Sequence, residues 1–148
     1  MFLWNVIFAD KLPELYRRNN FWNNIPDFIK ILENILRIIV FFFPLFLKLE
    51  IKELQQKIGL LIYVAGIFVY FMSWLMQVYF PGSSWSQSVM GFMAPAYTAI
   101  IWLTGIGLIG KSPFLKIPYH YSIYIIFSVF FVVIHSIHSF IVYLKTRI

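Results

Sequence analysis

Residues 60–80 read LLIYVAGIFVYFMSWLMQVYF, an uncharged stretch whose strongly polar members are Ser73 and Gln77. About 20 predominantly apolar residues in a helix are long enough to cross the hydrocarbon core of a bilayer. Two later stretches meet the same requirement: residues 89–109 carry no charge, and residues 121–144 are broken only by serines and two histidines. The sequence therefore predicts three transmembrane helices, over about residues 58–80, 89–110 and 119–144.

The composition also favours a lipid environment. The chain has 148 residues, of which 61% are hydrophobic and 12% are charged, whereas soluble domains carry about 25% charged residues. A small domain leaves much of its surface exposed, so apolar residues this dense cannot all be buried in a core. We therefore predict one all-α membrane domain over residues 1–148, an integral multi-pass protein with the lipid bilayer as its partner.

The basic charge indicates a membrane surface more than nucleic acid. The net charge is +6, but the lysines and arginines flank apolar runs. Such residues suit anionic headgroups and set membrane orientation, and neither a basic stripe nor a nucleic-acid-binding motif is present in the sequence. The chain has no cysteines, which excludes disulfides, thiolate metal sites and thiol-redox catalysis.

A fourth span is predicted over about residues 26–49. Residues 38–47 read IIVFFFPLFL, a run only about half the length of a span. Extending the run backwards adds polar residues spaced three and four apart: Lys30, Glu33, Asn34 and Arg37. On a helix they form one narrow stripe and leave the remaining face apolar. We expect a four-helix transmembrane bundle if that stripe packs inward, and a three-span protein if it does not.

The remaining N-terminal part and the basic residues give expectations about the membrane surface. Residues 1–25 mix apolar and aromatic side chains with arginines and asparagines, which is typical of an interfacial segment. With four spans, both termini share a side with the loop at residues 81–88. That side carries Lys11, Arg17, Arg18, Lys30, Arg37, Lys145 and Arg147, and the other carries Lys48, Lys52, Lys57, Lys111 and Lys116. The positive-inside rule then favours cytoplasmic termini, although the short loops counted alone reverse the preference.

Each long span has a face of small and polar residues. These faces are Gly59, Tyr63, Gly66, Tyr70, Ser73 and Gln77; Gly91, Ala94, Pro95, Thr98, Trp102 and Gly105; and His120, Tyr124, Ser128, His135 and His138. Small residues let transmembrane helices approach closely, and hydroxyl and amide groups bond across the contact. We interpret the glycine, alanine and serine positions as packing surfaces, and Pro95 as a packed kink.

His135 and His138 are the strongest candidates for chemistry. An i,i+3 pair of histidines can offer two nitrogens to one metal ion, but a third ligand would have to come from another segment. Haem ligation in a bundle uses facing helices, and all three histidines of this chain lie in the last span or at its edge. No cofactor is therefore implied. The alternative is a pair of neutral histidines that bond to neighbouring helices.

In the four-span topology, polar side chains that cost free energy in hydrocarbon lie at one depth in one leaflet. This concentration predicts a pocket open to one side of the membrane. The pocket candidates are Glu33, Arg37, Tyr70, Ser73, Gln77, Thr98, His135 and His138. The same concentration would also arise if these groups only held the helices together.

Three functions remain open from the sequence. The first is binding or transport of a small lipophilic or amphipathic molecule, for which the 21% aromatic content offers apolar walls. The second is a non-catalytic membrane subunit, either in a homo-oligomer or in a larger complex. The third is a membrane enzyme with His135 or His138 as general base or metal ligand and Glu33 as partner. The sequence contains no nucleophile–base signature, so we rank the enzyme last.

Overall fold

A computed structural model of the protein describes residues 12–113 and 120–145, and this part is mostly helical. The chain begins with a 3-10 helix at Glu14–Tyr16 and continues with α1 (Arg18–Phe21), α2 (Asp27–Phe42), a 3-10 helix at Phe43–Phe46, β1 (Leu47–Leu49), α3 (Leu54–Tyr79), α4 (Ser84–Gln87), α5 (Val89–Tyr97), α6 (Ala99–Ile109), β2 (Gly110–Pro113) and α7 (Tyr121–Leu144).

Three helical segments are long and apolar enough to cross a membrane, as the sequence predicts. They are α3, the α5–α6 pair over Val89–Ile109, and α7, with mean hydropathies of 2.1, 1.6 and 2.3. At 1.5 Å per residue their lengths are about 39, 32 and 36 Å. The α5–α6 segment is central, because 61% of the residues in an apolar 18-residue stretch of it are buried inside the protein, against 28% in α3 and 33% in α7.

The predicted first span is shorter as a helix than the sequence suggested, and a fourth span is not confirmed. The helix α2 has 16 residues and a length of about 24 Å, less than the hydrocarbon thickness of about 30 Å. It ends at Phe42 because Pro44 follows. Proline has no N–H for the helical ladder and disfavours helical backbone in the residue before it. The continuation to residue 49 is therefore a 3-10 turn and a strand.

A small sheet departs from the all-α prediction. β1 and β2 pair antiparallel, with Leu47 opposite Pro113 and Leu49 opposite Gly110. The two loops meet at the end of the bundle away from the termini, where their backbone groups can bond to each other. Beside them, Lys111 Nζ lies 2.9 Å from Glu53 Oε1, and this hydrogen bond raises the pKa of Lys111.

Glycines set the contact between α3 and α6. A Cβ on Gly66 would collide with the backbone of Ile101 and Trp102, and one on Gly105 would lie 2.7 Å from Tyr63 Cα. The two helices therefore touch through their backbones, as small residues permit in membrane bundles. The packing interpretation of these glycines is confirmed.

Pro44 also leaves a backbone carbonyl without its helical donor. The carbonyl of Val40 would accept from the N–H of residue 44, which proline lacks. The Tyr124 hydroxyl, from the buried face of α7, donates to this carbonyl at 3.0 Å. An unpaired carbonyl is costly in a lipid environment, so the tyrosine replaces the missing helical bond.

Residues 12–25, which we call the N-terminal strap, pack across the terminal end of the bundle. Leu12, Phe21 and Ile25 are buried among the helices. The Tyr16 hydroxyl donates to the carbonyl of Phe92. This inward packing does not confirm the predicted interfacial segment for residues 12–25, and residues 1–11 lie outside the described part of the chain.

Candidate functional site

Glu33 lies on the inner face of α2. Ile29, Glu33, Leu36 and Val40 are the buried residues of this helix, and their spacing of four, three and four places them on one side. The side chain of Glu33 is 0% exposed. A carboxylate at a core position is expensive unless charged or hydrogen-bonding partners surround it, so its partners decide what the site can do.

Three side chains meet the Glu33 carboxylate. Arg37, one turn later on α2, forms an ion pair with Oε1. From α7, Nδ1 of His135 lies 3.0 Å from Oε1, and Nδ1 of His138 lies 2.5 Å from Oε2. We call these four residues the Glu33 cluster. Half of the eight residues predicted to share a pocket are therefore brought together around one carboxylate.

The N-terminal strap closes the Glu33 cluster. His138 is 0% exposed, and its Nε2 lies 2.9 Å from the carbonyl oxygen of Phe21. The ring of Phe21 lies 4.3 Å from the His138 ring, and that of Trp22 lies 4.8 Å from it. The Arg37 guanidinium stands 5.4 Å from the Trp22 ring centre, within range of a cation–π contact.

His135 occupies the outer edge of the cluster. Its ring is stacked on Phe131 at 5.6 Å with an interplanar angle of 6°, and its side chain is 22% exposed. The metal hypothesis gains no support from this arrangement, because the Nδ1 atoms of His135 and His138 are engaged by different oxygens of one carboxylate. Within residues 12–113 and 120–145, no group of three or more His, Cys, Asp or Glu side chains is placed to hold a metal ion.

The other four pocket candidates do not join the Glu33 cluster. Ser73 Oγ donates to the carbonyl of Tyr70 at 2.7 Å, and Thr98 Oγ1 donates to the carbonyl of Ala94 at 2.6 Å. Both bonds stay within a single turn of helix, a usual way for hydroxyls to be satisfied in helices. The hydroxyls of Ser73 and Thr98 are therefore satisfied by their own helices and do not reach the Glu33 cluster.

Gln77 donates a hydrogen bond to a second carbonyl that lacks its helical donor because of a proline. Pro95 cannot donate to the carbonyl of Gly91, four residues earlier. Gln77 Nε2, on α3, donates to this carbonyl at 2.7 Å, and the glutamine is buried. Pro95 is buried inside α5, as the packing interpretation expects, and the amide of Gln77 supplies the donor that Gly91 lacks.

Replacing Gln77 with leucine is expected to lower the free energy of unfolding by about 1–3 kcal/mol, the cost of a buried unsatisfied carbonyl. In a Pro95→Ala background the new N–H can serve Gly91, so the same substitution should cost little. A double-mutant cycle measured by denaturant unfolding in mixed micelles gives the coupling. Equal costs of Gln77→Leu in the two backgrounds would contradict the assignment.

A groove opens at the terminal end of the bundle, between the N-terminal strap and the helices. It has a volume of about 310 Å³, and its lining includes Tyr16, Gln77, Ser86, Gln87, Phe92 and Tyr143. We call it the terminal groove. Burial raises the pKa of the Tyr16 phenol, so this hydroxyl remains a neutral donor. Of the predicted pocket candidates, Gln77 alone is among the groove's lining residues.

A second groove lies between α3 and the α5–α6 segment. Its volume is about 440 Å³, and Met72, Ser73, Trp85 and Thr98 are among its lining residues. Met72 and Trp85 are exposed, so this groove faces outward from the bundle. Of the eight pocket candidates, four thus form the Glu33 cluster, Gln77 lines the terminal groove, and Ser73 and Thr98 line the second groove.

The N-terminal strap and the groove walls contribute residues that the sequence pattern did not predict. Those with a role in the geometry are Tyr16, Phe21, Trp22, Phe92 and Tyr143. Aromatic residues in an apolar chain carry little individual signal, and Phe21 acts through its backbone carbonyl, which every residue possesses. Comparison with protein-family models, with curated proteins and with solved structures finds no match for the chain.

Proposed function

We propose that the protein is an integral membrane protein that binds a small amphipathic molecule in the terminal groove. The observation that carries the proposal is the groove itself. Its volume of about 310 Å³ falls at the lower end of the range of about 300–1,000 Å³ typical of small-molecule sites. Its position at the end of the long helices would place its mouth near the bilayer surface.

The chemistry of the walls favours a ligand with one apolar and one polar part. Rings of Tyr16, Phe92 and Tyr143 offer flat apolar surfaces, and Ser86 and Gln87 contribute a hydroxyl and an amide. Aromatic walls with a few placed polar groups are the usual composition of ligand pockets. Amphipathic molecules also concentrate at the depth where helices leave the bilayer, which would supply the ligand to the groove.

The same proposal treats α2 and the following 3-10 turn as a fourth span, with both termini cytoplasmic. The outward side of α2 is apolar, with Phe28, Ile31 and Ile38 each at least 60% exposed. The turn at Phe43–Phe46 adds about 8 Å to the 24 Å of α2, which gives about 32 Å. This length matches the hydrocarbon core, and the distribution of basic residues favours the orientation.

Retention of a ligand tests the proposal. Gln87→Trp should fill the terminal groove, whereas Ser84→Trp places the same bulk on the same short helix at an exposed position outside the lining. Native mass spectrometry of gently solubilised protein should show a bound small molecule in the wild type and in Ser84→Trp, and its loss in Gln87→Trp. An empty wild-type protein, or equal retention by both variants, would count against binding in this groove.

A role as a non-catalytic subunit is the second candidate, in a homo-oligomer or with other membrane proteins. It is favoured by the apolar outer sides of α3 and α7, since only 28% and 33% of the residues in an apolar 18-residue stretch of each helix are buried. Leu61, Phe68 and Phe130 are among the large exposed side chains. Particle mass after gentle solubilisation separates the candidates, because a strictly monomeric particle rules this one out. The enzyme hypothesis has less support, since Glu33 and His138 are fully buried and only His135 of its three residues is partly exposed.

A further inference from the structure

We propose that Glu33 and His138 form a buried proton-binding site, and that loss of its proton opens the contact between His138 on α7 and the Phe21 carbonyl of the N-terminal strap. The proposal does not require the terminal groove to bind any molecule. The proposal rests on the number of hydrogen atoms that the two contacts of His138, with Phe21 and with Glu33, require. The occupant is a single proton, shared between an imidazole and a carboxyl group.

The contact with the N-terminal strap fixes one hydrogen. The Nε2 atom of His138 lies 2.9 Å from the carbonyl oxygen of Phe21. A carbonyl oxygen only accepts hydrogen bonds. The Nε2 atom must therefore carry a hydrogen and donate it to the strap. In a neutral imidazole this leaves Nδ1 without a hydrogen.

The contact with Glu33 needs a second hydrogen. His138 Nδ1 and Glu33 Oε2 are 2.5 Å apart. An ionised carboxylate is also an acceptor alone, so one proton must lie between the two atoms. The pair is either an imidazolium beside a carboxylate or a neutral imidazole beside a carboxylic acid. Both forms contain the same single dissociable proton.

Removing this proton forces His138 to give up one of its two partners. A neutral imidazole has one N–H and cannot donate to both Phe21 and Glu33. A hydrogen bond to a carboxylate is roughly twice as strong as one between neutral groups. The remaining hydrogen should therefore move to Nδ1 and serve Glu33. The lone pair of Nε2 then faces the Phe21 carbonyl, and that contact opens.

The surrounding charges determine when the proton leaves. Arg37 on α2 and His135 on α7 both contact Glu33, and the strap contributes the Phe21 carbonyl and the rings of Phe21 and Trp22. The positive guanidinium opposes a second positive charge on His138, while the carboxylate between them favours it. The proton is retained at low pH and lost as pH rises, so the strap should loosen in the alkaline direction.

The loosening should be local to the segment around Phe21. The strap is also held where Tyr16 donates to the carbonyl of Phe92 and where Lys145 donates to the carbonyl of Asn23. Neither of these contacts involves the shared proton. We therefore expect a change in local opening near Phe21, with α3 and α7 keeping their fold.

Hydrogen–deuterium exchange of the protein in lipid nanodiscs tests the proposal. After correction for the intrinsic pH dependence of exchange, protection of peptides covering residues 17–25 should fall as the pH is raised from about 5 to about 8. The expected fall is about fivefold, which corresponds to a hydrogen bond worth about 1 kcal/mol. Peptides from α3 should show no such change. Protection of residues 17–25 that stays constant with pH would overturn the proposal.

Glu33→Gln is the decisive variant. The introduced amide can accept from Arg37 and His135 and donate to Nδ1 of a neutral His138, which keeps its Nε2–H for Phe21. The dissociable proton is then absent while both contacts remain, so protection should stay high at every pH. If protection of residues 17–25 in this variant depends on pH as it does in the wild type, the proposal is overturned.

Two further variants serve as a control and as a replacement for Glu33→Gln. His120→Gln changes a histidine at the other end of α7 and should behave like the wild type. If Glu33→Gln fails to give a helical, monodisperse protein, His138→Gln replaces it, because it removes the titrating ring and should give lower, pH-independent protection of residues 17–25. Wild-type pH dependence in His138→Gln would contradict the assignment.

Discussion

Replacing Gly66 with leucine is expected to separate α3 from α6 and to lower the free energy of unfolding by about 3 kcal/mol or more. Overpacking usually costs about 1–3 kcal/mol. The cost should be at the upper end here because the new side chain would meet backbone atoms of Ile101 and Trp102. A rotamer change cannot move backbone atoms, so the helices themselves must shift. Denaturant unfolding in mixed micelles, followed by circular dichroism, measures the effect.

Gly82→Leu is the matched control for this substitution. A Cβ at Gly82 would have nothing within 4 Å, and the residue is exposed in the turn after α3. The same change in side-chain volume should therefore alter stability by no more than about 0.5 kcal/mol. Similar losses in the two variants would show that the close approach of α3 and α6 is not what holds the bundle.

Replacing Glu33 with leucine is expected to cost about 3–5 kcal/mol, the usual penalty for removing one partner of a buried ionic group. Leucine leaves the N–H groups of His135 and His138 without their acceptor. Arg37 contributes less to the penalty, because its side chain is 38% exposed and can turn toward headgroups. The measurement is again the free energy of unfolding in mixed micelles at neutral pH.

Asp27→Leu supplies the control for the loss of an acidic residue on the same helix. The Asp27 side chain is 89% exposed and pairs with Lys30 at 3.1 Å, and an exposed ion pair contributes about 1 kcal/mol or less. A second variant tests the cause of the Glu33 effect. Adding His138→Phe to Glu33→Leu removes the fully buried one of the two orphaned imidazoles and should restore part of the stability. If the double variant is less stable than Glu33→Leu, unpaired donors are not the source of the loss.

The three long spans could be predicted because length and uninterrupted apolar character are local properties of the sequence. The end of α2 could also have been predicted. The residues that suggested a span, IIVFFFPLFL, contain Pro44, and proline ends a helix shortly before itself. The β1–β2 pair could not, because each strand is short and its partner lies in a distant loop.

The candidate site was partly predictable. The order of the spans predicts that Glu33, His135 and His138 lie at one depth, and the structure brings them into contact. Tyr70 and Ser73 lie at a similar predicted depth but do not join them, because the rotation of each helix about its axis depends on packing between distant segments. The Phe21 carbonyl left no signal in the sequence for the same reason that any backbone group leaves none.

The two carbonyls that lack a helical donor because of a proline, those of Val40 and Gly91, can be recognised in the sequence. A proline within an apolar helix specifies the one carbonyl, four residues earlier, that needs an outside donor. Pro95 specifies Gly91, and its donor Gln77 is a lone amide in the preceding span. Polar residues in an apolar span can therefore be matched to prolines in other spans before they are assigned to a pocket.

The bonds of α2 have a consequence for how the protein is made. The donor to Gly91 lies 14 residues earlier in the chain, so it is present when Pro95 is synthesised. By contrast, the hydroxyl that serves Val40 follows 84 residues later, and the two histidines that hold Glu33 follow 102 and 105 residues later. Synthesis runs from the N-terminus, so α2 leaves the ribosome long before the Val40 carbonyl and the Glu33 carboxylate can meet their partners on α7. The first long helix of the described chain to be made is therefore the last to be completed.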